Sequence, residues 1–343
     1  MSQFKFSVGP WNIHEGADVF GPPVRRSFCF EEKVKRFKDI GFDAVQFHDD
    51  DAVPEIDNKS ATELEKEAGE KKKILDDNGL KAEFVAPRLW GSPKGMDGSF
   101  SSNDPQERKY AIDRSKRAVD ICRTLGCDLL GFWYAREGTV CAESKNPRDA
   151  IGWMIEGLNE VLEYDKGIRI FIEPKPNEPI DRSFAPTMGH AMALAASTVD
   201  PSRVGGLVES AHAILAGLDP ATEMAFAMAT GKLFGVHLND QNSLRFDQDK
   251  AFAGENLRQG FNQIRVLVNG GFGKNGEYVG MDVKAMRTQP EDLSFSHLAN
   301  SVRMVKLLEQ KVAAFDEGKR EEFIRTRDYE GLEMYTLEVL LGA

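Results

Sequence analysis

The chain has 343 residues, of which 41% are hydrophobic and 29% are charged. This is the composition of an ordinary globular protein long enough to bury a substantial core, which excludes a disordered or fibrous chain. The 44 Lys and Arg residues against 55 Asp and Glu give a formal net charge of -11 at pH 7. Such a surface repels phosphate backbones, and the sequence has no run of five Lys or Arg residues, so we expect no nucleic-acid partner.

Membrane and export signals are equally absent from the sequence pattern. No stretch approaches the roughly 18 uncharged apolar residues of a membrane span, and the first residues have no apolar run behind a basic start. The four cysteines Cys29, Cys122, Cys127 and Cys141 include no Cys-x-x-Cys pair, which is typical of reduced thiols. We therefore expect a cytoplasmic protein with no membrane partner.

Short apolar runs alternate with segments of helical periodicity along the chain. The predicted strands cover residues 4–10, 43–47, 82–86, 129–134, 169–172, 204–208, 233–238 and 278–283. The predicted helices cover residues 30–40, 61–78, 104–125, 146–164, 188–196, 211–230, 256–269 and 298–316. Such alternation indicates βα units and a parallel sheet, and eight strands fit one closed barrel better than two sheets.

The predicted fold is therefore an α/β protein, a parallel (β/α)8 TIM barrel with a short C-terminal helical arm. We assign residues 1–297 to the barrel and 298–343 to the arm, which continues through a charged segment at 317–328 and an apolar one at 332–341. Arms of this kind often wrap a partner subunit, although a helix packed on its own barrel explains the pattern equally well.

Acids, imidazoles, cations and tryptophans gather where the predicted strands end. In chain order they are Trp11, His48, Asp51, Arg88, Trp90, Trp133, Glu173, Lys175, Glu209, His212, His237 and Asp282. The carboxyl ends of the strands in a parallel barrel share one mouth, where chemistry is found. Taken singly, each residue has an ordinary explanation as a cap, a core aromatic or a chance spacing, but their coincidence at nearly every strand end favours a functional site.

Carboxylates dominate this predicted mouth. Glu173, Glu209 and Asp282 are joined by Asp247 and Asp249, which are two residues apart and so on one side of an extended segment. So many carboxylates cannot all stay ionised at close range without a cation. A carboxylate-rich set with imidazoles suits Mg²⁺, Mn²⁺ or Co²⁺, and one Glu could bridge two such ions.

Several blocks of sequence carry a resemblance to a known family. They are Phe-His-Asp-Asp-Asp at 47–51, Trp-x-x-Arg-Glu-Gly at 133–138, Ile-Glu-Pro-Lys-Pro-Asn-Glu-Pro at 172–179, Pro-Thr-x-Gly-His at 186–190, Glu-x-x-His at 209–212, Gly-Lys-Leu-Phe at 231–234, Leu-Asn-x-Gln-Asn at 238–242, Phe-Asp-Gln-Asp at 246–249 and Asp-x-Lys at 282–284. In this order, over almost the whole chain, the sequence resembles the xylose isomerase family, and the actinobacterial glucose-isomerase type in particular.

The resemblance implies a role for each residue. The carboxylates Glu173, Glu209 and Asp282 resemble ligands of a first metal ion, and Glu209 is shared with a second ion held by His212, Asp247 and Asp249. The implied catalytic residues are Lys175, which contacts sugar oxygens, and His48, which is held by Asp51 and assists opening of the pyranose ring. The implied sugar contacts are Trp11, Trp90, Trp133 and Phe20, the last from a neighbouring subunit. We expect two divalent metal ions per subunit, a small sugar substrate and a homo-oligomer, tetramer or dimer.

Two positions depart from the family pattern. His237 stands where the family has an Asp ligand of the first metal, so this ligand becomes an imidazole and the preference should move from Mg²⁺ toward Mn²⁺ or Co²⁺. The third-strand loop reads Ala86-Pro87-Arg88 where small hydroxyl and amide residues are expected. Arg88 would then shorten the pocket or contact an altered substrate.

The leading hypothesis is a metal-dependent aldose-ketose isomerase that converts D-xylose to D-xylulose, with D-glucose to D-fructose as a second reaction. The alternative is an isomerase or epimerase of another sugar on the same barrel, suggested by His237 and Arg88. A metal-dependent phosphodiesterase is disfavoured by the net charge of -11. A sugar-binding barrel without catalysis would lack Lys175 or the His48 and Asp51 pair, and both are present.

Overall fold

The computed structural model describes residues 2–19 and 21–342. Eight parallel strands form a closed barrel in the order β1-β8-β7-β6-β5-β4-β3-β2. They are β1 Phe6–Val8, β2 Ala44–His48, β3 Lys81–Ala86, β4 Leu129–Trp133, β5 Arg169–Glu173, β6 Val204–Glu209, β7 Leu233–Leu238 and β8 Val279–Met281. Every predicted strand is present, and the predicted TIM barrel is confirmed.

Helices surround the strands. They are α1 Phe30–Ile40, α2 Asp49–Ala52, α3 Ala61–Asp77, α4 Pro105–Leu125, α5 Pro147–Tyr164, α6 Met188–Ala196, α7 Ser210–Leu215, α8 Pro220–Ala229, α9 Leu257–Gly270, α10 Ser296–Ala314, α11 Glu317–Thr326 and α12 Tyr329–Leu341. Among these described helices, none is both long and apolar enough to cross a membrane.

One predicted helix is wrong in its extent. The periodic segment 211–230 is two helices, α7 and α8, because Gly217 has a left-handed φ of 72° and ends the first. Asp219 then begins the second by accepting a hydrogen bond from the backbone N–H of Thr222, with Pro220 in the first turn. The apolar periodicity runs across this break, whereas the capping residues mark it.

Large aromatic rings fill the barrel below the strand ends. The rings of Phe84 on β3 and Phe171 on β5 meet edge to face, with centroids 4.9 Å apart. Gly131 on β4 makes room for them, since a Cβ there would lie 2.2 Å from the Phe171 ring. This apolar layer lies directly below the polar residues at the strand ends.

Contacts between the two ends of the barrel sequence close the sheet. Phe6 of β1 lies opposite Val279 of β8, and the side chain of Asn12 accepts a hydrogen bond from the backbone N–H of Val283 at 2.6 Å. Arg25 donates to three carbonyl oxygens of the loop after β8, at 2.8 to 3.2 Å. We refer to these contacts as the seam.

The last three helices follow β8. Helix α10 buries Leu298, Val302 and Val305 in the same core as the barrel. The side chain of Lys311 on α10 donates to the carbonyl of Val339 on α12 at 2.8 Å. The boundary between a barrel at 1–297 and an arm at 298–343 stays a prediction.

Candidate metal and sugar site

A cavity of about 410 Å³ opens at the carboxyl ends of the strands. It is lined by Trp11, His48, Phe84, Ala86, Arg88, Trp90, Trp133, Glu173, Lys175, Glu178, Pro179, Glu209, His212, His237, Asp247, Asp249, Asp282 and Lys284. Of the residues predicted from sequence, Asp51 lies behind His48, and Phe20 lies outside the described residues. The other predicted residues come together at one mouth, as the barrel topology requires.

Four strand ends bring together a first cluster, which consists of Glu173, Glu209, His237 and Asp282. One donor atom from each lies within 4.8 Å of the others. The Nδ1 atom of His237 is 3.6 Å from Glu173, 3.7 Å from Glu209 and 3.8 Å from Asp282. Three carboxylates and one imidazole are a donor set suited to a divalent transition metal.

The His237 ring supports this assignment. It is 2% exposed, and neither ring nitrogen has a hydrogen-bond partner among the described residues. Burial alone would lower the pKa of His237, but the neighbouring carboxylates, Glu173 foremost, raise it well above its usual value. A buried imidazole without hydrogen-bond partners, surrounded by carboxylates, is a site that a bound cation would satisfy.

A second cluster, which consists of Glu209, His212 and Asp247, adjoins the first. Glu209 ends β6 and His212 follows within the first turn of α7, so that the two side chains share one face. The Nε2 atom of His212 lies 3.2 Å from carboxylate oxygens of both Glu209 and Asp247. Glu209 belongs to both clusters and so joins them.

Asp249 lies outside both clusters. Its carboxylate forms an ion pair with Lys284 and accepts a hydrogen bond from the Asn239 amide at 3.0 Å. The backbone explains the difference from the expected extended segment, because Asp249 has a left-handed φ of 46°. Asp247 and Asp249 therefore face different neighbours, and the role of Asp249 as a metal ligand stays a prediction.

Lys175 is held as an ammonium group beside the second cluster. Its Nζ atom lies 2.8 Å from Asp247 and 3.4 Å from Glu178, and 5.2 Å from the centre of the Trp133 ring. Burial would lower the pKa of Lys175, but Asp247 raises it above its usual value. The group can donate hydrogen bonds to a bound oxygen but cannot act as a nucleophile.

His48 ends β2 and lines the cavity. Its Nδ1 atom lies 3.2 Å from Asp51 Oδ2 and 2.8 Å from Arg88 Nη2. Arg88 also donates from Nε to Asp50 at 2.8 Å. His48, Asp50 and Asp51 form a third group of donors. Both carboxylates of this group are paired with the Arg88 guanidinium.

Aromatic rings form the remaining wall. The rings of Trp90 and Trp133 meet edge to face at 4.5 Å between centroids, and His48 lies between Trp90, at 5.3 Å, and Trp11, at 4.3 Å. The indole N–H of Trp11 also donates to Asp282 at 3.0 Å. These faces offer an apolar surface to the carbon side of a ligand whose oxygens face the clusters.

Some site residues were assigned no role from sequence. Asn239 donates to Glu209 at 2.9 Å and to Asp249, and so holds both carboxylates. Glu178 accepts from the backbone N–H of Asp247 at 2.9 Å. Asn239 follows directly after β7 and Glu178 closes the Pro-rich segment after β5, so their positions after strand ends were the available signal.

The chain is similar in sequence to known proteins. A family model described as xylose isomerase-like TIM barrel matches residues 34–269. A xylose isomerase of Thermus thermophilus is 32% identical over 320 residues, which cover 92% of this chain and 81% of that protein.

Solved structures share the fold. A D-tagatose 3-epimerase-like protein superposes with a TM-score of 0.64 at 16% identity, over 90% of this chain and 99% of that one. A protein of Sinorhizobium meliloti 1021 superposes with a TM-score of 0.63 at 22% identity, over 87% of this chain and 97% of that one.

Proposed function

The chain belongs to the xylose isomerase-like TIM barrel family, and from that premise we propose that it is a metal-dependent aldose-ketose isomerase. The observation that carries the proposal is the pair of adjacent donor clusters that share Glu209, with the ammonium of Lys175 beside them. The substrate we propose first is D-xylose, because the relative from Thermus thermophilus is a xylose isomerase. D-Glucose is the second candidate.

Two divalent cations would be held by the two clusters, Mg²⁺, Mn²⁺ or Co²⁺ in each. The unpartnered nitrogens of His237, the unpartnered Nδ1 of His212 and an unpartnered oxygen of Asp247 fit such ions. Bound cations would polarise the carbonyl and hydroxyl oxygens at the reacting carbons of the sugar. The imidazole of His237 in the first cluster favours Mn²⁺ or Co²⁺ over Mg²⁺.

The residues of the chain supply the other parts of the mechanism. Lys175 donates hydrogen bonds to the substrate oxygen on which negative charge develops as hydrogen moves between the two carbons. His48, with Asp51 behind it, contacts the ring of the cyclic sugar and assists its opening. The walls formed by Trp11, Trp90 and Trp133 exclude water while the open-chain form reacts.

The direct test is to strip the protein of metal, add back Mg²⁺, Mn²⁺ or Co²⁺ separately, and follow D-xylulose formation from D-xylose. We expect turnover to depend on added metal. The Glu209→Gln variant should lose both turnover and metal binding, because it removes the shared ligand. Glu156→Gln, on the exposed side of α5, is the matched control. Metal binding without turnover of D-xylose or D-glucose would contradict this substrate assignment.

Epimerisation of another sugar is the second candidate. It is favoured by the two departures from the family pattern, His237 and Arg88, both of which line the cavity. The reactions differ in their hydrogen transfer, because epimerisation by proton abstraction exchanges with solvent whereas a hydride shift does not. Turnover in ²H₂O therefore separates them: deuterium on carbon in the product indicates an epimerase, and its absence indicates the isomerase.

We also propose that the protein forms a homo-oligomer, a tetramer or a dimer. Helix α12 supports this, because Met334 and Leu341 are 56% and 79% exposed although the opposite face of the same helix packs on the core. Sedimentation equilibrium tests the proposal. A monomer at micromolar concentration would contradict it.

A further inference from the structure

The Nδ1 atom of His48 lies close to one hydrogen-bond donor and one hydrogen-bond acceptor. Arg88 Nη2 lies 2.8 Å away and Asp51 Oδ2 lies 3.2 Å away. A guanidinium nitrogen can only donate a hydrogen bond, and an ionised carboxylate can only accept one. A neutral imidazole therefore satisfies one of them and not the other. If Nδ1 accepts from Arg88, the ring proton is on Nε2; if Nδ1 donates to Asp51, the proton is on Nδ1.

The surrounding contacts favour Arg88. The distance to Arg88 is shorter by several tenths of an ångström, and Asp51 Oδ2 already accepts a hydrogen bond from the backbone N–H of His48 at 3.1 Å. The other oxygen of Asp51 lies 3.6 Å from Arg88 Nη2, so this carboxylate is also compensated by the same guanidinium. Asp51 thus has partners without the His48 ring proton.

Arg88 itself is fixed at both ends. Its side chain donates from Nε to Asp50 at 2.8 Å, and its backbone N–H donates to Asp49 Oδ1 at 3.0 Å. Asp49 is fully buried and is held by two hydrogen bonds from Arg114, at 2.7 and 2.9 Å. Asp50 therefore holds the guanidinium, and a buried ion pair holds the backbone of the same residue, before any ligand binds, which is what a positioning residue requires.

We propose that Arg88 is a positioning residue that holds His48 in the neutral tautomer with its proton on Nε2. Nε2 receives no hydrogen bond from the described residues, and the ring lines the cavity between Trp11 and Trp90. His48 then presents an N–H donor to the substrate, with no lone pair on that side. It stabilises negative charge on a sugar oxygen by a hydrogen bond and takes no proton from a hydroxyl.

This inference rests on the proposed function only for the identity of the acceptor, which would be the ring oxygen or the carbonyl oxygen of the sugar. The position of the ring proton is a property of the protein alone. The two proposals can therefore fail separately. A protein with the Nε2–H tautomer and no isomerase activity would overturn the proposed function and leave the role of Arg88 intact.

The first test measures the tautomer by ¹⁵N NMR of the imidazoles in the full-length, Mg²⁺-loaded protein above neutral pH. The chain has six histidines, and the His48 signals are assigned by their loss in His48→Gln. We expect the one-bond proton coupling on Nε2 and none on Nδ1. A proton on Nδ1 in the unmodified protein overturns the proposal, and this result needs no variant.

Two variants separate Arg88 from Asp51. Arg88→Met should move the proton to Nδ1, since Asp51 is then the remaining neighbour of that nitrogen. Asp51→Asn should leave the proton on Nε2. If Asp51→Asn changes the tautomer and Arg88→Met does not, Asp51 sets the tautomer and the proposal is wrong.

Kinetics gives a second readout that a merely structural role would not produce. Arg88→Met should lower kcat/KM for D-xylose by about 10- to 100-fold, the usual cost of losing a partner that orients a functional side chain. For D-glyceraldehyde, which cannot close a pyranose ring, we expect a loss several times smaller if the acceptor is the ring oxygen. Equal losses for both substrates identify the carbonyl oxygen instead. No loss with either substrate overturns the role of Arg88.

Discussion

The indole N–H of Trp11 donates to Asp282 Oδ1 at 3.0 Å, and the other oxygen of that carboxylate lies 3.8 Å from His237 Nδ1. One tryptophan thus forms part of the aromatic wall and also orients a member of the first cluster. Hydrogen bonds to ligating carboxylates fix their direction and are a large part of metal affinity.

Loss of this hydrogen bond should weaken metal binding at the first cluster. We predict that Trp11→Phe, which keeps an aromatic ring, lowers the affinity for Mn²⁺ by about 10- to 100-fold. Isothermal titration of the metal-free protein measures it. Trp90→Phe is the matched control, because Trp90 lies in the same wall and its ring contacts His48 and Trp133 instead of a carboxylate of the clusters. Equal losses in both variants would contradict the prediction.

The imidazole of the first cluster should set the metal preference. We predict that His237→Asp shifts the ratio of Mg²⁺ affinity to Mn²⁺ affinity toward Mg²⁺ by at least about tenfold, because an oxygen donor replaces a nitrogen donor. Titration with each ion separately and metal analysis after dialysis against an equimolar mixture both measure this ratio. His190→Asp changes an exposed histidine on α6 and should leave the ratio as it is. An unchanged ratio in His237→Asp would count against the assignment of the first cluster.

The buried ion pair beneath Arg88 should be important for stability. Asp49 is fully buried, and Arg114 donates two hydrogen bonds to it. We predict that Arg114→Met lowers the free energy of unfolding by about 3–5 kcal/mol, because it leaves a buried carboxylate without its cationic partner. Urea denaturation measures this change.

A second ion pair of similar geometry provides the control. Arg123 donates two hydrogen bonds to Asp165 near the surface, at 2.6 and 2.7 Å, and Arg123→Met should cost no more than about 1 kcal/mol. Combining Asp49→Asn with Arg114→Met should recover part of the larger loss. If the single variant Arg114→Met behaves like Arg123→Met, burial of the pair is not the source of its contribution.

His297 predicts a loss of stability in acid. Burial lowers the pKa of His297 from 6.5 to about 4, although the hydrogen bond that its Nε2 donates to the carbonyl of Asn12 at 3.0 Å acts in the opposite direction. Nδ1 has no hydrogen-bond partner among the described residues, so no acceptor is placed to stabilise a second ring proton. Between those pH values the unfolded chain binds the proton and the folded one does not. His297 therefore leaves the free energy of unfolding unchanged above about pH 6.5. Below that pH it lowers the free energy of unfolding, by about 3 kcal/mol as the pH approaches 4.

The variant that tests this prediction is His297→Gln, whose amide can still donate to Asn12. Urea denaturation in steps between about pH 7.5 and pH 4.5 should show a shallower fall in stability than in the unmodified protein. His190→Gln, on the exposed surface of α6, should not change the slope. Parallel slopes for all three proteins would show that His297 does not contribute to the acid dependence.

The barrel could be predicted from sequence because strand and helix periodicities differ and glycines mark the helix ends. Gly41 and Gly126 both have left-handed φ values, 103° and 84°, directly after α1 and α4. The mouth could be predicted for a topological reason: eight parallel strands direct their carboxyl ends to one place. This topological rule alone was enough to place Glu173, Glu209 and His237 in one group.

The contacts inside the mouth could not be predicted, because they depend on how the loops fold. Asp249 is two residues from Asp247, yet its backbone turns left-handed and it pairs with Lys284. The contact between Arg88 and His48 joins residues 40 positions apart. The sequence around each of the two residues does not indicate it. Side-chain direction in a loop is set by such distant contacts, which a local pattern does not contain.

The seam has a consequence for the order of assembly. The hydrogen bond of Asn12 with Val283 joins residues 271 positions apart, and contacts across such a distance form late because a long loop must close first. Asp282 lies beside this seam, whereas Glu173, Glu209 and His237 lie on β5, β6 and β7. A chain whose barrel is still open would therefore bring together only three of the four donors of the first cluster. The rise in cation affinity during refolding would mark the moment at which the two ends of the barrel meet.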